Sequence, residues 1–119
     1  MTGQELKRIA DGCGAVETIE RIGGDVMVEI PVDRELASLP ITELNLGVRS
    51  FNALMRAKIE TVGALAGAIM YDCGIEKIRN LGRTSAHEIK TVLLAECYRR
   101  LSDGMKLDFW NRVAEVNGL

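Results

Sequence analysis

Arg79-Asn80-Leu81-Gly82-Arg83-Thr84-Ser85-Ala86-His87-Glu88-Ile89-Lys90 is the stretch whose residue types and spacing best suit chemistry. It holds an apolar anchor (Leu81), a turn glycine (Gly82), two residues suited to capping a helix (Thr84, Ser85) and the start of an amphipathic helix. A turn feeding a helix N-terminus presents unpaired backbone N–H groups and the positive end of a helix dipole, which suit a phosphate or carboxylate oxygen. The plainer reading is a helix start that binds water and its own cap, with Glu88 three residues after Ser85 as a capping-box partner.

Other reactive residues support no enzyme. The single His87 falls on the exposed side of this helix, and no Ser/His/Asp or Cys/His pairing can be argued. Asp72 and Glu76 stand at helix-surface spacing, where carboxylates are usually solvated. Cys13, Cys73 and Cys97 lie far apart, are odd in number and form no C-x-x-C pair, so no metal or cofactor is expected and the thiols read as idle in a reducing compartment. Gly12-Cys13-Gly14 lacks the third glycine and preceding strand of a nucleotide loop and reads as a turn.

The 119 residues fit one domain, or a small domain with an appendage. With few aromatics, Leu, Ile, Val, Ala and Met must fill the core. No apolar run approaches membrane-spanning length and no secretory h-region opens the chain, so a cytoplasmic location away from membranes is expected. Residues 1–39 hold four Lys/Arg against eight Asp/Glu, a net charge of −4, whereas residues 40–119 hold eleven against nine, a net of +2. A nucleic-acid surface, if present, therefore belongs to the second part.

Thr2-Gly3-Gln4-Glu5 fits a capping box opening a short helix over residues 3–11. Val26, Val28, Ile30 and Val32 alternate and predict a strand at 25–32, paired with residues 15–22 through Gly23-Gly24 as a β-hairpin. The alternative is a helix at 15–22, with the strand's partner supplied by another copy of the protein. Pro31 and Pro40, flanking Asp33, Arg34 and Glu35, mark a boundary. Beyond it the pattern is helical. Val48, Phe51, Leu54 and Met55 share a face over 47–57; Val62, Leu65 and Ala66 give a second helix interrupted by Gly63 and Gly67; Ile75 and Ile78 give a short third; and Ile89, Val92, Leu93 and Cys97 give a fourth. The fold class expected is mainly α, a compact bundle of about four to five short helices over residues 40–119, preceded by a small α/β appendage over residues 1–39 made of a short helix and a β-hairpin.

Four blocks then carry a resemblance. Ile41-Thr42-Glu43-Leu44-Asn45-Leu46-Gly47-Val48-Arg49-Ser50-Phe51-Asn52-Ala53-Leu54 resembles the opening of the C-terminal domain of the bacterial RNA polymerase alpha subunit, with its L-x-L-x-V-R-S-x-N-x-L pattern. Ile59 to Leu65, then Ile78 to Lys90, then Gly104-Met105-Lys106-Leu107 with Trp110 match that family's later motifs in order, over about two thirds of the sequence. The resemblance implies a helix-hairpin-helix-like element and docking in the minor groove of A/T-rich DNA. It also implies contacts with RNA polymerase, sigma factor or a transcription activator. Carried over, it implies DNA-binding roles for Arg49, Asn52, Gly82, Arg83, Thr84, Ser85 and Glu88. An arginine in a narrow A/T minor groove gains from the enhanced negative potential there.

The sequence also departs from the family pattern. Thr84 replaces the second of two successive basic residues in the family's loop, and Met55 stands where the family often has lysine. About two residues are inserted between Leu65 and Leu81 and about three between Lys90 and Gly104. Residues 1–39 do not look like the polymerase subunit's linker, so a free-standing relative is expected. Two functions follow. The first is a DNA-binding module of weak, salt-dependent affinity, helped by avidity from a homodimer or a polymerase partner. The second is a protein-interaction module that kept the fold and lost part of the DNA face.

Overall fold

The computed structural model describes residues 1–10, 14–71 and 74–119. Cys13, Cys73, Asp72 and the turn expected at Gly12-Cys13 lie outside these. Among the described residues the protein is helical: α1 (Gly3–Ile9), α2 (Ala15–Ile22), α3 (Arg34–Ala37), α4 (Val48–Arg56), α5 (Val62–Tyr71), α6 (Arg83–Arg99) and α7 (Asp103–Val116), with 3-10 turns at Ile41–Glu43 and Ile75–Lys77. None is long and apolar enough to cross a membrane. There are two compact units, Met1–Pro31 with Tyr98–Leu119, and Val32–Cys97.

In the first unit the capping box forms as the sequence predicts: the Thr2 hydroxyl accepts from Glu5 N–H, and the Glu5 carboxylate accepts from Thr2 N–H. The β-hairpin does not form. No strand exists among the described residues, and residues 15–22 are α2, which buries Ala15 and Ile19 on one face, as residues four apart on a helix can. α1 packs on α2 closely enough that a Cβ on Gly3 would meet Ile19 Cγ2 at 3.0 Å.

Within the alternating run at 25–32, Val26 and Met27 find other partners for their backbone. Val26 N–H donates to Met1 O at 2.7 Å, and the Met1 amino group donates to Val26 O at 3.3 Å. Met27 N–H donates to Asn117 Oδ1 at 3.0 Å, and Asn117 Nδ2 donates to Met27 O at 2.9 Å. A side-chain amide thus does for Met27 what a neighbouring strand would do.

The aromatics concentrate in this unit. Tyr98, Phe109 and Trp110 meet edge to face with centroids 4.9 to 5.7 Å apart, and buried Trp110 Nε1–H donates to Tyr98 OH at 2.8 Å. Such pairs add about 0.5–1.5 kcal/mol each beyond the burial of their area, and the hydrogen bond satisfies both polar atoms. Trp110, singled out by the closing motif, is therefore a core residue.

In the second unit α3 occupies the stretch that the two prolines mark as a boundary. Asp33 caps it, its carboxylate accepting from Leu36 N–H at 2.7 Å. Ile41 N–H to Glu60 O and Val62 N–H to Leu39 O, at 3.0 and 2.9 Å, tie the entry of α5 to the segment after α3. Gly63 is no interruption of α5: a Cβ there would lie 3.0 Å from both Cβ and O of Ala37, so glycine permits α5 to lie on α3. α4 buries Ser50, Ala53 and Leu54, whereas Val48 is 77% exposed and Met55 39% exposed. The buried face is therefore rotated from the expected one, with Leu54 common to both. The third expected helix is a 3-10 turn with Ile75 buried, and α6 buries Ala86, Ile89, Leu93, Leu94 and Cys97.

Candidate nucleic-acid interface

Arg49, Asn52 and Arg56 stand three and four residues apart on α4 and are all exposed. Arg49 and Asn52 line one depression together with Val48, Ala53, Arg56 and Asn80. A neighbouring depression is lined by Ala53, Arg56, Ala57, Ile78, Arg79 and Asn80. The surface of α4 thus meets the turn that precedes α6.

That turn is made differently from the sequence expectation. Asn80 takes the left-handed conformation, φ 68°, which asparagine tolerates better than most residues, and Leu81 N–H closes back on Ile78 O at 3.1 Å. Gly82 is not at positive φ, and nothing lies within 4 Å of where its Cβ would be. Gly82 is therefore required neither by its own backbone nor by a neighbour inside the unit. What its missing side chain leaves open is the space outside.

α6 begins at Arg83, and its first helical hydrogen bond runs from Ala86 N–H to Gly82 O at 2.9 Å. Thr84 and Ser85 are thus the second and third residues of the helix instead of its cap. Arg83 and Thr84 line a separate depression with Glu76, His87 and Lys90. There Lys90 Nζ donates to Glu76, and this bond, more than any other influence, holds the Glu76 carboxyl below its ordinary range.

Glu88 is not a capping-box partner of Ser85. Its Oε1 accepts from Gly47 N–H at 3.4 Å, and Gly47 is the residue before α4. A carboxylate on α6 therefore sits at the positive end of α4, two residues from Arg49.

Of the seven residues predicted for the site, Arg49 and Asn52 come together, Arg83 and Thr84 come together elsewhere, and Glu88 joins α6 to the start of α4. Gly82 and Ser85 flank these groups in the sequence. The resemblance gave no role to Arg56, Arg79 or Asn80, although the last two stand in the stretch that the sequence singles out. Arg56 was detectable from its helical register with Arg49 and Asn52, whereas Arg79 and Asn80 join them only through the path of the turn. Cations, amides and backbone N–H groups of this kind can hold an anion.

Residues 28–95 match the family model that describes the C-terminal domain of the alpha chain of bacterial RNA polymerase. The protein is 45% identical over 69 residues to the DNA-directed RNA polymerase subunit alpha of Carboxydothermus hydrogenoformans, covering 56% of this chain and 21% of that protein. It is 44% identical over 71 residues to the same subunit of Clostridium perfringens, covering 58% and 22%. Against that of Oceanobacillus iheyensis it is 42% identical over 78 residues, covering 64% and 24%. The matched segment thus spans less than a quarter of the length of these curated relatives.

Proposed function

Because this chain belongs to the family of C-terminal domains of the bacterial RNA polymerase alpha subunit, we propose that it is a non-catalytic, transcription-associated module that binds A/T-rich DNA. Arg49 and Asn52 reach into the minor groove, and the backbone from Gly82 to Ser85, with Arg83, meets the adjacent phosphates. The observation that carries this reading is the shared depression of Arg49, Asn52 and Asn80, in which an α4 cation and two amides flank the turn into α6. Minor-groove acceptors on A/T pairs suit such donors, and the narrow groove concentrates negative potential. The open space beside Gly82 supports close approach of a phosphate. Glu88 acts here by positioning α4.

So few contacts give weak binding, in the range of about 10⁻⁴ to 10⁻⁶ M typical of non-specific complexes, and avidity from a polymerase partner or a second copy raises it. Titration of fluorescent A/T-rich and G/C-rich duplexes at low and moderate salt tests the reading, with Arg49→Ala and Gly82→Asp as controls. Preference for A/T-rich duplex, lost in both variants, is expected. Equal affinity for wild type and variants, or none at low salt, overturns it.

Thr84, which removes a cation from the α6 N-terminus, favours a second reading: a protein-interaction module for sigma factor, an activator or a polymerase subunit. Pull-down against purified polymerase and sigma factor, with no retention of DNA, would select it.

A further inference from the structure

Arg56 and Arg79 are cations to which the sequence resemblance assigns no role. Both are exposed, and both line the depression that adjoins Arg49 and Asn52. Among the described residues, no carboxylate lines either depression. Among the same residues, Arg49, Arg56 and Arg79 enter no ion pair, whereas Lys7, Lys90 and Arg112 do. Three guanidinium groups left without counter-charge around two amides raise a local positive potential, which a polyanion can neutralise with release of its counterions. On the other side of the turn the balance differs. Arg83 and Lys90 share their depression with Glu76, and Thr84 contributes no charge.

We propose that Arg56, at the C-terminal end of α4, and Arg79, in the turn before α6, each bind a backbone phosphate of the DNA. This rests on the DNA-binding reading above and adds to it which residues hold the backbone. The floor between the two arginines is apolar or amide (Ala53, Ala57, Ile78, Asn80), which leaves the guanidinium N–H groups as the donors along the path. Phosphate contacts position a protein on the duplex without reading sequence. The pair therefore affects affinity and salt dependence, while the choice of A/T over G/C stays with Arg49 and Asn52.

The slope of log K against log salt counts neutralised phosphates at about 0.9 each on duplex DNA. With the 119-residue protein and an A/T-rich duplex, Arg56→Ala/Arg79→Ala is expected to flatten the slope by about 1.8 and to weaken binding to A/T-rich and G/C-rich duplexes by the same factor. Arg56→Lys/Arg79→Lys keeps the slope, and equal thermal midpoints for both double variants show that the fold is intact. A slope unchanged in the alanine variant, while Arg49→Ala still weakens binding, overturns this assignment and leaves the DNA-binding reading standing. An alanine variant that loses A/T preference without a change of slope also overturns it. Absence of binding by the wild-type protein at low salt removes both.

Discussion

The carboxylate of Glu88 accepts a hydrogen bond from the backbone N–H of Gly47, 41 residues earlier in the sequence, and so fixes the start of the helix that carries Arg49 to the helix that follows the Gly82 turn. A charge at a helix N-terminus contributes about 0.3–1 kcal/mol when exposed. Glu88→Ala is expected to lose that amount in chemical denaturation and to weaken DNA binding through Arg49. Glu88→Gln keeps an acceptor and loses only the charge. Binding that is unaffected in the alanine variant would show that Arg49 is held by α4 alone.

Asn117 brackets the Met27 peptide with both ends of its amide and also donates to Val113 O at 2.7 Å. Met27 is exposed, so water can replace part of what is lost, and Asn117→Ala is expected to cost about 1–2 kcal/mol. Asn117→Asp costs more, since a carboxylate would face two carbonyl oxygens at the negative end of α7. Faster hydrogen exchange at the Met27 amide in the alanine variant is the direct readout; an unchanged rate would mean that the amide bracket does not protect it.

Gly63 and Gly67 lie on the same helix and predict opposite signs. Gly63→Ala drives a methyl against the Ala37 backbone and is expected to cost about 1–3 kcal/mol. At Gly67 nothing lies within 4 Å of the added carbon, so Gly67→Ala is expected to stabilise by about 0.5–1 kcal/mol through helix propensity. Equal midpoints for the two variants would refute the close contact between α3 and α5.

Lys90 holds the Glu76 carboxyl below its ordinary value of 4.5. A folded-state value below the unfolded one contributes stability that is complete above about pH 4.5 and disappears as pH falls through the lower folded value. With Glu76 41% exposed, solvent screening limits the pair to about 0.2–1 kcal/mol. Glu76→Gln should therefore be slightly less stable than wild type at pH 7, equal to it in strong acid, and closer to it in high salt. A difference that grows with acid would contradict the pairing.

What the sequence determined by itself is what near neighbours in it decide. The Thr2–Glu5 capping box and the burial of Val62, Leu65, Ile89 and Leu93 depend on residues within a few positions of one another, as does the presence of a turn before α6, though not the residue that makes it. The ordered motifs at Arg49-Ser50-Phe51-Asn52 and Asn80-Leu81-Gly82 made the family legible for the same reason. Tertiary structure decided the rest. Alternation at 25–32 says that one face is apolar, but not which group will meet the backbone, and the partner of Met27 turned out to be a side chain 90 residues away. The same limit hid the link from Glu88 to Gly47 and the meeting of Arg56 with Arg79. Local pattern specifies a helix and its buried face, because both follow from the backbone repeat. Which exposed faces come to share a depression depends on how the backbone turns between them, and that is settled only on folding.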